Sequence, residues 1–179
     1  PVEELYQIVL NEKTEKIIKS RIMEMISQSI KIYDDIEYLK SFITKSLQDV
    51  IEYSLENGSI STKCNCLILI AIITATENME LLVSFIYSSS FTSFIDFIEI
   101  TDDINNIIVS IGILGSALQL LKVRSPDSEE FNFFMSHILS SNIFENIYKF
   151  AEKYDKFSKL LMAFCSLFES ESTIMSENC

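Results

Sequence analysis

Apolar residues recur along this chain at three- and four-residue steps, the spacing that gathers side chains on one face of an α-helix. In 12–33 the recurrence is carried by Ile18, Ile22, Met25, Ile26 and Ile30 beside charged neighbours, which predicts an amphipathic helix with Asn11 as its N-cap. Asp34 and Asp35 then open a second predicted helix, with acidic residues at the positive end of its dipole. It runs through Leu39, Phe42, Ile43, Leu47, Val50, Ile51 and Leu55 and stops at Gly58. The hydroxyls of "SIST" restart the chain as caps. Next comes "CNCLILIAIITA" at 64–75, a run without charge. A membrane-spanning helix needs about 18 to 20 apolar residues. This run is shorter, and Lys63 precedes it while Glu77 and Glu80 follow, so the pattern predicts a buried helix over 61–75.

Two shorter apolar segments follow, "MELLVSFIY" and "FTSFIDFIEI", separated by "SSS"; "TDD" then caps a longer, mostly apolar helix over 104–121. The same order returns as "SPDSEEFNFFMSHIL", "NIFENIYKFAEKY" and "DKFSKLLMAFCSLFES". Pro126 is expected in a helix's first turn, where its missing N–H is harmless. The end of the chain, 173–179, has no helical period and is expected to be a flexible tail. Three Gly and two Pro in 179 residues leave few helix breakers, and 48% hydrophobic residues suffice for a sizeable core. The expectation is an all-α protein, one domain over 1–172.

Three apolar helices, "KCNCLILIAIITA", "NNIIVSIGILGSALQLL" and "KFSKLLMAFCSLF", each close a unit that begins with a short helix, a Ser-rich turn and a second helix. Their centres, with that of the first long helix, lie near residues 22, 68, 112 and 162, steps of about 44 to 50 residues against about 40 to 47 for armadillo and HEAT repeats. The order short, second, long third helix resembles the armadillo repeat. That resemblance implies a right-handed α-solenoid of about three to four armadillo-like repeats over 12–169, with the third helices lining a concave surface. In peptide-binding armadillo repeats the third helix usually carries an Asn that clamps the ligand backbone; here Thr74, Gln119 or Ser166 stands where that Asn would be sought.

Net charge is −12, and it is uneven. No Lys or Arg falls between Cys64 and Leu121, while Glu77, Glu80, Asp96, Glu99, Asp102 and Asp103 all do. Phosphate-rich partners are repelled there, so neither direct nucleic-acid nor membrane binding is expected. A protein partner with basic residues at its rim suits this middle better. The opening "PVEELYQ" has no signal-peptide pattern and reads as the start of a fragment, and the "NGS" sequon at 57–59 is discounted. Four cysteines are too few for a disulfide scaffold, so thiols in the cytoplasm or nucleus are expected.

Candidate chemistry is sparse. "CNC" at 64–66 suggests a thiolate metal site, but zinc takes four ligands and the sole histidine, His137, is distant in sequence; core cysteines are the reading. His137, within "FFMSHIL", reads as half-buried and structural rather than as a base. Asp102 and Asp103 read as a helix cap and first turn rather than an acid–base pair. No Gly-rich phosphate loop and no Gly-flanked serine elbow occur. The expectation is no enzyme, no metal and no cofactor.

Gly112 and Ser116 lie one turn apart and open a flat strip on a bulky helix. Gly within a helix costs about 1 kcal/mol relative to Ala. Close packing by an adjacent helix is the first explanation, and a docking strip for a partner is the second. The expected function is a scaffold that binds a partner helix or peptide. Its candidate faces are Asn65, Leu69, Ile72 and Thr76; Asn105, Ile108, Gly112, Ser116 and Gln119; and Lys159, Ala163 and Ser166. The alternatives are a subunit of an obligate homo- or hetero-oligomer and a closed helical bundle resembling Bcl-2 regulators.

Overall fold

A computed structural model describes residues 2–32, 43–126 and 128–177. Among the described residues there are ten helices and no strand, so the protein is all-α. The chain divides into two compact units, Pro1–Phe97 and Ile98–Cys179.

The first unit opens with α1 (Val2–Leu10), a helix that the pattern did not predict. Only Tyr6 and Val9 are buried on it, too few positions to establish a period. Helix α2 (Lys16–Ile32) starts later than expected. Asn11 does not cap it: the Asn11 side chain accepts from the Lys13 N–H at 3.0 Å and shapes the turn between α1 and α2. Helix α3 (Lys45–Asn57) is capped by Thr44, which accepts from the Leu47 N–H. The predicted start at Asp34 and Asp35, with Leu39 and Phe42, lies outside the described residues.

Gly58 ends α3, as expected, donating its N–H to the Ser54 carbonyl at 2.9 Å. Its φ of −72° is ordinary; what excludes a side chain is space. A Cβ there would collide with the Ser54 carbonyl oxygen and lie 3.0 Å from the Thr62 side chain. Ser59 caps α4 (Ile60–Ala75) by accepting from the Thr62 N–H at 3.3 Å. Helix α4 buries Cys66, Leu67, Leu69, Ile70 and Ile73 against α2 and α3. The uncharged run thus has protein on several sides. Glu77 (φ 53°) supplies the left-handed residue just past the C-cap, a position usually held by Gly, and Asn78 caps α5 (Met79–Ile86).

Hydrogen bonds tie these helices at long spacing. Lys19 Nζ donates to Tyr53 Oη, Ser20 Oγ to Ser61 Oγ, and Ser27 Oγ to Asn65 Oδ1. Ser90 Oγ, on α6 (Ser89–Ile100), donates to the Gln48 carbonyl at 2.6 Å. Ser89 and Ser93 donate to Glu52 and Glu56.

In the second unit, Asp103 caps α7 (Ile104–Arg124) and Ser128 caps α8 (Glu129–Leu139). Pro126 precedes that cap and so stands outside the first turn where it was expected; the Ser128 side chain, accepting from the Phe131 N–H, sets the start instead. Helix α9 (Ile143–Lys153) buries Ile143, Ile147, Phe150 and Ala151, and α10 (Asp155–Glu177) packs on α7, α8 and α9. The backbone of α10 stays helical past 172. Asn146 Nδ2 donates to the carbonyls of Ile98 (2.7 Å) and Thr101 (3.1 Å), closing the exposed C-terminal end of α6. Phe134, Phe164 and Phe168 form an aromatic cluster, with the last two rings 4.8 Å apart.

Candidate functional site

The three predicted faces fare differently. On α4, Leu69 is 1% exposed and belongs to the core, so it is not an accessible contact. Asn65 accepts from Ser27 of α2, and Thr76 Oγ1 turns back to the Ile73 carbonyl at 2.8 Å. Ile72 is half-buried. A helix flanked by α2 and α3 keeps little of this face open.

Helix α7 is the opposite case. Asn105, Gly112, Ser116 and Gln119 are exposed, Ile108 is half-buried, and the other side of the helix buries Ile107, Ile111, Leu114, Leu118 and Leu121. A Cβ built on Gly112 or on Gly115 meets nothing within 4 Å, so among the described residues no neighbouring helix requires either glycine. Packing does not explain the strip. The sequence reading missed two apolar members of the same stripe, Val109 (41% exposed) and Val123 (71%). Their four-residue steps from Asn105 and Gln119 were the available signal.

On α10, Lys159, Ala163 and Ser166 are exposed, beside Leu160 (50%), Met162 (42%) and Leu167 (42%). This apolar exposure exceeds what the predicted trio implied.

The residues weighed for chemistry sit apart from one another. Cys64, Cys66 and Cys165 are thiols. Burial pushes the Cys66 thiol up to about 12, and the nearby Ser54 hydroxyl offsets only part of that. Two positions apart on a helix, Cys64 and Cys66 do not share a face. Among the described residues no three His, Cys, Asp or Glu side chains gather in a metal-holding group. His137 is half-buried, its ring centred 5.7 Å from that of Phe133. Asp103 accepts from the Asn105 N–H at 2.8 Å as the cap of α7. Asp102 faces an open groove lined also by Asn146, Lys149 and Lys153. Lys149 pairs with Glu145 at 2.7 Å and holds that carboxyl below its usual range.

By length and composition, α7 is apolar enough to cross a membrane, with a mean hydropathy of 1.7 over its most apolar window. That window is 56% buried within the protein, which gives its apolar side a core to occupy. Set against known protein families, curated proteins and solved structures, the chain matches none.

Proposed function

We propose that this chain is a protein-interaction scaffold, a right-handed α-solenoid of armadillo-like repeats that receives a partner helix or peptide along its long helices. The observation that carries this reading is the α7 stripe, exposed from Asn105 to Gln119 and open above Gly112. Small and polar residues there leave a shallow channel, and Val109 and Val123 supply apolar contact.

Two features support the repeat architecture. The order short, second, long helix occurs twice in succession, as α5–α6–α7 and as α8–α9–α10. Among the described residues, side-chain hydrogen bonds that bridge helices include pairs from 34 apart (Lys19–Tyr53) to 48 apart (Ile98–Asn146). A solenoid repeat contacts only its neighbours, so its bridges fall near one period, whereas a closed bundle also ties residues much farther apart in sequence. The acidic middle selects a partner with a basic rim, and the proposed setting is the cytoplasm or nucleus, with no catalytic role and no cofactor.

The test is Gly112→Leu and Ser116→Leu, made after affinity purification and mass spectrometry have named a stoichiometric partner. Leucine on an open helix face should hold or raise the unfolding midpoint, since Gly is a poor helix former, and should abolish partner capture. A fall in the midpoint equivalent to about 1 to 3 kcal/mol would mean internal packing. Undiminished capture would move the site elsewhere.

The α10 surface favours a second reading, a structural subunit whose Leu160, Met162 and Leu167 are covered in a larger assembly. Light scattering coupled to size exclusion separates the two: a monomer favours the scaffold.

A further inference from the structure

A cavity of about 80 Å³ lies in the first unit, bounded by the start of α2, the end of α3 and the start of α4. Its wall includes Lys19, only 6% exposed, whose ammonium donates to Tyr53 Oη at 2.7 Å and stands 4.3 Å from the centre of that ring. An ammonium has three N–H donors and no acceptor. Among the described residues Lys19 forms no ion pair. Tyr53 Oη accepts from Lys19, which leaves its own proton for another acceptor.

The next residue, Ser54, is fully buried, and its hydroxyl turns to the Cys66 thiol. Lys16 adds a second cation to the wall, and Glu12 is the one carboxylate on it. Two ammonium groups therefore face one carboxylate around a partly open cavity, in a chain that is otherwise strongly acidic. A buried cation without a counter-charge is unfavourable, and an acceptor-only anion relieves that.

We infer that this cavity binds a small oxyanion, a phosphoryl group whose oxygens accept from Lys19 and Tyr53, carried either by inorganic phosphate or by a phosphorylated peptide. The size is suitable. A water needs roughly 10 to 15 Å³ of such space, so the cavity admits about five to eight heavy atoms, enough for a phosphate. The group joins α2, α3 and α4, and binding stabilises the folded chain by mass action.

The experiment is a calorimetric titration and thermal melt of the full chain with sodium phosphate, against sodium chloride at equal ionic strength. Parallel arms use a phosphoserine peptide and its unphosphorylated form. Saturable binding at one site with a rising midpoint is expected in at least one phosphoryl arm, and the arm that responds names the source. Lys19→Met should weaken binding by about tenfold or more, the loss of one charge-assisted hydrogen bond, while holding or raising the phosphate-free midpoint. Should Lys19→Met fail to fold, Tyr53→Phe keeps the ring beneath the ammonium and removes only the hydroxyl. Phosphate and phosphopeptide that act no differently from their controls would mean a water-filled cavity and overturn the assignment. Wild-type affinity in these variants would overturn it equally.

Discussion

Gly58 shows how a single missing methyl group permits a tight connection. With the Ser54 carbonyl on one side and Thr62 on the other, α3 and α4 meet across two residues. Gly58→Ala should therefore destabilise the protein by roughly 1 to 3 kcal/mol, as overpacking does, read as a lower urea midpoint at unchanged slope. Cys66 makes a different point. Its thiol ionises near 9.0 when exposed and near 12 when buried, so between those values the unfolded chain gives up a proton that the folded chain keeps. On this account stability is full below pH 9 and falls as pH rises through 9 to 12, by about 1.4 kcal/mol per unit. Urea midpoints measured from pH 8 to 10.5 should decline, and Cys66→Ala should flatten the decline. Tyr6, also raised by burial, keeps a part of the slope in that variant.

At the scale of elements, Asn146 joins two helices through two carbonyls that α6 cannot satisfy itself. Asn146→Ala should cost about 1 to 3 kcal/mol by leaving those acceptors unpaired, with faster amide exchange in the last turn of α6 as a local readout. Helices of this kind were legible where burial was periodic or long. Helices α4 and α7 stood out as uncharged runs, and hydroxyl or carboxylate caps such as Ser59 and Asp103 marked their starts. Helix α1 did not, because two buried residues make no pattern, and Asn11 misled because a turn uses the same side-chain acceptor as a cap. The exposed stripe of α7 was legible for a chemical reason: Asn105, Gly112, Ser116 and Gln119 interrupt an apolar helix on one side only. On α4 apolar residues occupy nearly every position, so nothing in the letters separated Leu69 in the core from a surface neighbour. The Lys19 cavity was invisible because it depends on residues from three helices meeting in space.

For the whole molecule, the apolar surface of α10 carries a prediction about assembly. Replacing Leu160 and Leu167 together by Lys should shift the unfolding midpoint by no more than about 0.5 kcal/mol per site, as exposed positions do, while lowering any mass above the monomer in light scattering. A large loss of stability would show that these leucines already serve the core. The long apolar helices were legible from the sequence, yet whether they stack as a solenoid, and with which hand, depends on how successive helices rotate, and residue spacing does not encode that rotation. The bridging hydrogen bonds have a consequence for synthesis. Those named above, among the described residues, reach back 34 to 48 residues. At a translation rate of about 5 to 20 residues per second, each bridge waits roughly 2 to 10 seconds for its second residue to be made. The first helices can therefore settle against one another outside the ribosome while the last are still being translated, and a nascent chain arrested after α6 should already resist protease over α1 to α4.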